Sequence, residues 1–276
     1  GIRPDTFAAL LRLFAWCDLL EGARKPSVPT HEVLFYERTR LGFTRAQIGK
    51  TGKAEHVSEI STNKPEIVLP QHCLNDLAAS DPPLAMISRN RQSCRAQGRI
   101  PISQEQLSEL LFRCFHETNG RRSYPSGGSL YPLTVYLLIN RCEGLASGLY
   151  AYDSAEHGLN MVAETDTLLR RMLMDAAASA NRSEHTQVLL MLCADMIAVR
   201  ATYGDLAYAL VLKEVGAVFQ NIQFAGTAMK LATCPLGTAN SVSFAAVSGL
   251  DLYNKPLVGE MMVGSIEPAA DETHSF

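Results

Sequence analysis

The chain has 276 residues, of which 47% are hydrophobic and 19% charged, and its formal net charge is -3. That content fills the core of one large domain, or of a domain with a smaller appendage, and without a long basic run it excludes a phosphate track for nucleic acid. No segment approaches the ~20 consecutive apolar residues that a bilayer-spanning helix needs, and the modest charge content points to apolar surface covered by a partner such as a second copy of the chain.

In chain order, residues 5–22 read as a short helix, with Phe7, Leu10, Leu11, Leu13 and Phe14 as its apolar stripe and Gly22 as its stop. From residue 23 to 83 the pattern is irregular and punctuated by Pro26, Pro29, Pro65, Pro70, Pro82 and Pro83. This stretch reads as an extended, wrapping region with a helix around residues 31–40. Regular structure is expected to begin near Leu84, which divides the chain into an N-terminal helical and extended region, 1–83, and a main domain, 84–276. Ser103, Gln104, Glu105 and Gln106 form a capping box. Leu107, Leu110, Leu111, Cys114 and Phe115 follow at helical spacing, so 103–116 is an amphipathic helix. Residues 133–139, 149–152, 187–193 and 260–265 read as strands, the third apolar on both faces. Residues 205–231 form one long helical stretch. Helices and strands alternate unevenly, without the glycine-rich turn of a dinucleotide fold, which makes the fold class α+β.

The seven cysteines (Cys17, Cys73, Cys94, Cys114, Cys142, Cys193 and Cys234) are odd in number, scattered and without a CxxC pair. Reduced thiols and a cytoplasmic location are the expectation. The seven histidines show no HxH or HExxH spacing, so no metal site is expected. Ser126-Gly127-Gly128 lacks the GxSxG elbow of a serine hydrolase.

Three segments carry chemistry. Arg89-Asn90-Arg91-Gln92-Ser93-Cys94-Arg95 puts three guanidiniums and a hydroxyl within seven residues. Arg offers bidentate contacts to phosphate, and alternate residues of an extended chain share a face, so Arg91, Ser93 and Arg95 are expected to clamp one anion. Tyr124-Pro125-Ser126-Gly127-Gly128-Ser129-Leu130-Tyr131-Pro132 feeds the 133–139 strand, and its paired glycines admit a planar ligand close to the backbone. Glu214-Val215-Gly216-Ala217-Val218-Phe219-Gln220-Asn221 places small residues mid-helix, for packing against another helix or a flat ring.

Together these segments resemble the SagB/McbC-type dehydrogenases. The loop and strand from Arg122 to Tyr136 carry the family's most recognisable signature. Gly148-Leu149-Tyr150-Ala151-Tyr152-Asp153, with His157 and Leu159, is similar to its "GLYxYDxxxHxL", and Glu214, Gly216, Gln220 and Asn221 match "ExGxxxQN". The resemblance implies a nitroreductase-like fold, with a central, mostly antiparallel sheet flanked by helices, that binds FMN at a homodimer interface. Arg91, Gln92, Ser93 and Arg95 would then hold the phosphate and ribityl chain. Pro125, Ser126, Gly127, Gly128 and Gln220 would lie by the isoalloxazine ring, and Pro235, Leu236 and Gly237 would pass over its reactive edge.

The implied reaction is oxidation of a thiazoline or oxazoline, on a peptide or a carrier-bound intermediate, to the aromatic azole. The cofactor supplies the redox chemistry and the protein the base. The family associates that base with a Lys-Tyr pair, where this chain has Thr202-Tyr203. Tyr203 is therefore the expected catalytic residue. The missing lysine keeps two alternatives open: a flavin oxidoreductase of the same fold acting on another substrate, and a non-catalytic flavoprotein subunit of a biosynthetic complex.

Overall fold

A computed structural model describes residues 64–266 apart from 183 and 185, together with isolated positions between Thr6 and Thr39. Within the two helices expected near the N-terminus, Thr6, Phe7, Leu10, Leu11, Phe14, His31, Glu32, Leu34, Phe35 and Thr39 are helical. The remainder of those helices, and the wrapping course expected between them and residue 63, lie outside the described residues.

Seven strands form one antiparallel sheet: β1 (Ile67–Val68), β2 (Leu133–Ile139), β3 (Gly148–Asp153), β4 (Gly158–Glu164), β5 (Val188–Ala194), β6 (Leu231–Leu236) and β7 (Leu257–Ser265). Their spatial order is β1-β4-β3-β2-β5-β7-β6. Seven helices accompany them within residues 64–266: α1 (Leu74–Ser80), α2 (Leu84–Asn90), α3 (Gln104–Phe115), α4 (Thr167–Ser179), α5 (Met196–Tyr203), α6 (Ala207–Ala228) and α7 (Ser241–Ser248). Regular structure thus starts upstream of Leu84, since β1 pairs with β4 and the Leu69 amide donates to the carbonyl of His157.

The pleat of the central strands sorts the core into two layers. Leu133, Val135, Leu137 and Ile139 of β2, with Val188, Leu190 and Leu192 of β5, face α3 and α6. Tyr136 and Leu138, with Leu189, Met191 and Cys193, face α4 and α7 on the other side. Both strands are buried on both faces, which is why they read as continuous apolar runs. The capping box of α3 forms as its sequence specifies: Ser103 Oγ accepts from the Gln106 amide at 3.2 Å, and Gln106 Oε1 accepts from the Ser103 amide at 3.0 Å. The long helix is shorter than expected. A 3-10 turn at Gly204–Leu206 separates α5 from α6, and Lys230 at φ 56 turns the chain into β6.

The Tyr152–His157 segment turns out to be architectural. Tyr152 Oη lies 2.7 Å from His157 Nδ1, while Ser108 Oγ and the Pro70 carbonyl lie 2.9 Å and 3.1 Å from its Nε2. A carbonyl needs a donor, so Nε2 carries the proton and Nδ1 accepts from the tyrosine. This neutral ring ties the β3–β4 hairpin to α3 and to the segment behind β1. Burial, with His116 and His72 close by, pushes the His157 pKa down to about 4. A depressed folded pKa means that the unfolded chain binds more protons in this window. The stability advantage of the native protein over a His157→Gln variant is therefore expected to be full above about pH 6.5 and to shrink as the pH falls towards 4, which urea denaturation of both at several pH values measures.

Candidate functional site

The anion-clamp segment leaves α2 at Arg91, which is the helix C-cap, and runs without regular structure along α6 and β6. Two contacts fix its path. The buried amide of Gln223 on α6 accepts from Arg91 Nη1 at 3.3 Å and donates to Ser93 Oγ at 3.2 Å. One residue on, the Cys94 amide donates to the Thr233 carbonyl of β6 at 2.9 Å. Arg95 is exposed and close enough to Cys234 to favour its thiolate electrostatically, although burial still leaves that thiol above its ordinary pKa. The clamp therefore reaches β6 directly ahead of Pro235. Arg91 and Ser93 share the Gln223 amide, whereas Gln92 is exposed between them.

The glycine loop is anchored at both ends. Arg122 donates from Nη1 to the Leu133 carbonyl at 2.7 Å and to Tyr124 Oη at 3.1 Å, with its guanidinium 5.7 Å from the centre of the Tyr131 ring. Ser123 Oγ donates to the Cys114 carbonyl and accepts from Asn221 Nδ2 on α6 at 2.9 Å. Ser126 Oγ accepts from the Tyr131 amide and donates to Glu214 Oε2, both at 2.8 Å. The loop holds three positive φ values within four residues, at Gly128 (φ 62), Ser129 (φ 56) and Tyr131 (φ 45). Only the first is a glycine, so this backbone is held against its own preference by the contacts around it.

Glu214 is buried beneath this loop, and its Oε1 has no hydrogen-bond partner among the described residues. Burial raises its pKa to about 7, against the opposing pull of the Ser126 hydroxyl, Arg122 and the Gly127 amide.

Tyr203, at the end of α5, packs its ring against the main core and brings its hydroxyl to the Gly-Gly step. A Cβ built on Gly127 would stand 3.6 Å from Tyr203 Oη, and one built on Gly128 only 2.7 Å away. The expected catalytic tyrosine and the expected ring-contacting loop are therefore neighbours. Thr202 spends its hydroxyl on the Ala198 carbonyl one helical turn back, at 3.2 Å. Arg200 is tied to Asn254 Oδ1 and the Tyr253 carbonyl, and Lys213 is exposed on α6.

The remaining candidates divide. Pro235 and Leu236 close β6, paired with Met261 and Glu260 of β7, and a Cβ on Gly237 would meet nothing within 4 Å. Gly216 faces equally open space on α6, and Gln220 is exposed further along the same helix. Its neighbour Asn221 makes the loop contact. α6 is thus the common wall of the site, meeting the loop through Glu214 and Asn221 and the clamp through Gln223.

The model of the nitroreductase family matches residues 88–265, more than half of the chain. The chain belongs to the nitroreductase family. Members of that family are generally FMN-dependent oxidoreductases. A Methanocaldococcus jannaschii protein named as a nitroreductase is 28% identical over 149 residues, which is 53% of this chain and 74% of that protein. Among solved structures, a protein of Ralstonia eutropha named as a nitroreductase superposes with a TM-score of 0.62 at 20% identity, over 74% of this chain and 90% of its own. A chain of the E. coli microcin synthetase McbBCD complex, solved with truncated pro-MccB17 bound, superposes with a TM-score of 0.54 at 20% identity, over 96% of this chain and 95% of its own. These likenesses show the same fold. The antiparallel sheet flanked by helices agrees with the α+β architecture expected from the sequence.

Proposed function

We propose that the chain is an FMN-dependent dehydrogenase that oxidises a thiazoline or oxazoline, on a peptide or a carrier-bound intermediate, to the thiazole or oxazole. The observation that carries this reading is the approach of Tyr203 Oη to the Gly127–Gly128 step, which joins the proposed proton acceptor to the proposed ring-binding loop. The near-complete overlap in length with a chain of the microcin synthetase complex supports it.

The residues present fit the cofactor. Arg91, Ser93 and Arg95 are the donor set that a phosphate dianion takes. Gly127 and Gly128, lacking side chains, let Tyr203 close on the loop, and Gly216 and Gly237 border open space that a flat ring could take. Bound FMN would supply the two-electron acceptor for the azoline, with dioxygen as the final oxidant. The loop from Pro125 to Gly128 orients the ring, Glu214 and Ser126 hold that loop, and Tyr203 Oη in its phenolate form would receive the acidic ring proton. Assembly as a homodimer, with other subunits of a biosynthetic complex bound to it, belongs to the same reading.

A second reading, the same oxidoreductase with a different substrate, is favoured by the Thr202 hydroxyl being committed to its own helix where the resembled family has a lysine. Incubation of the FMN-loaded protein with a thiazoline-containing and an oxazoline-containing peptide in air, followed by mass spectrometry, separates the two. Loss of two hydrogens per ring, dependent on FMN, is the expected result. Unchanged azolines, together with turnover of a nitroarene or an enone, would establish the second reading.

A further inference from the structure

We propose that Gln223 is the residue that sets the phosphate clamp: its one amide orients both Arg91 and Ser93 for a phosphomonoester, so that it governs recognition of the phosphate and not of the ring. The proposal rests on the FMN reading above and adds to it a residue that touches neither phosphate nor flavin and acts through two that do.

The hydrogen-bond directions carry the argument. A guanidinium has only donors, so the atom of Gln223 facing Arg91 Nη1 at 3.3 Å is its carbonyl oxygen. That assignment turns the amide nitrogen toward Ser93 Oγ at 3.2 Å, and the nitrogen can only donate. Ser93 Oγ thereby accepts, and its own O–H is left to donate outward. Arg91, held through one nitrogen, keeps its remaining N–H groups for the same ligand. The result is a hydroxyl donor and a guanidinium donor fixed two residues apart on one segment, the arrangement that matches the oxygens of a phosphate.

The amide itself is held firmly. Gln223 is 6% exposed, sits well inside α6, and its backbone carbonyl also accepts from Thr227 Oγ1 at 2.7 Å. The next turn of α6 lies against β6, where a Cβ on Gly226 would come within 2.5 Å of Thr233 Cγ2. Thr233 is the residue whose carbonyl takes the Cys94 amide. The segment is thus fastened on either side of Ser93, by a side chain of α6 and by the backbone of β6. The carboxamide supplies the acceptor for Arg91 and the donor for Ser93 together, whereas leucine offers neither and glutamate keeps the acceptor but loses the donor.

The test compares FMN with riboflavin, which shares the ring and ribityl chain and lacks the phosphate. Dissociation constants for both are measured by flavin fluorescence on the native protein and on Gln223→Leu and Gln223→Glu, with melting temperatures alongside. The native protein should bind FMN much more tightly than riboflavin. In Gln223→Leu the FMN affinity should fall about 10- to 100-fold, as expected for an orienting hydrogen-bond pair to charged and hydroxyl groups, with riboflavin affinity unchanged. Gln223→Glu should lose at least as much FMN affinity, since it also places a carboxylate near the phosphate, and it keeps the size of the native side chain should the leucine variant fail to fold. Equal losses for FMN and riboflavin, or no loss for either, in a protein that binds FMN normally would overturn the role of Gln223 while leaving the cofactor reading intact. A native protein that binds FMN no better than riboflavin would overturn the phosphate clamp itself, and Gln223 with it.

Discussion

Tyr203→Phe is expected to lower azoline turnover by about 10²- to 10⁴-fold, the usual span for removing a general acid–base group, while the protein keeps its flavin. The two effects separate because of where the hydroxyl sits. The ring of Tyr203 packs against the core, and phenylalanine preserves that contact. Oη makes the nearest approach to the Gly127–Gly128 step, at a point where a methyl group on Gly128 would already be 2.7 Å away. The neighbours offer no substitute: Thr202 is bonded to the Ala198 carbonyl, Arg200 to the Tyr253–Asn254 turn, and Lys213 is exposed on another helix. Single-turnover rates, flavin content and melting temperature on native and variant protein make the comparison. Turnover within a few-fold of native would remove Tyr203 from the chemistry and place its hydroxyl among the supports of the loop.

Replacing Arg91 and Arg95 together by alanine should cost the protein its cofactor. A hydrogen bond to a charged group contributes about 1.5–3 kcal/mol, so two guanidiniums on a phosphate amount to about 3–6 kcal/mol. At 1.4 kcal/mol per tenfold, that is a rise of about 10²- to 10⁴-fold in the FMN dissociation constant. Arg95 is exposed and its contribution is screened, so the outcome should lie toward the lower end, with Arg91 giving the larger share. Activity should return in part at high FMN concentration, because the loop, Glu214 and Tyr203 are untouched by the change. Stoichiometric FMN retained by the double variant would show that the ligand's phosphate sits elsewhere.

How much of this was legible in the sequence depended on whether a signal was local. The α3 helix was, because its capping box and its stripe of Leu107, Leu110, Leu111 and Cys114 lie within a dozen residues. So were β2 and β5, whose burial on both faces leaves no polar alternation to confuse them. The β6 strand was not, since Pro235 inside it argues against a strand; it is tolerated because β6 lies at the sheet edge, where one row of amides has no partner strand. The α4, α5 and α7 helices each have a side-chain N-cap, from Asp166, Asp195 and Asn240, but α7 buries only Phe244 and so shows no stripe. The candidate loop was marked by its paired glycines and the candidate clamp by its arginines. What joins them was hidden in long-range partners: Ser126 meets Glu214 across 88 positions, and Ser93 meets Gln223 across 130. Glu214 and Asn221 lay inside a recognised motif without an assigned partner. Gln223 lay two residues beyond it, and a single glutamine within a long helix carries no mark of what it will bond.

The most direct measurement is anaerobic mixing of the FMN-loaded protein with a synthetic thiazoline peptide, followed through the visible absorbance of the bound flavin. Bleaching of the oxidised-flavin bands by the azoline alone, with recovery on admitting air and one thiazole formed per flavin reduced, is the result this account predicts. A bound flavin that stays oxidised with every thiazoline and oxazoline offered, yet is bleached by a nicotinamide donor and reoxidised by a nitroarene, would contradict it.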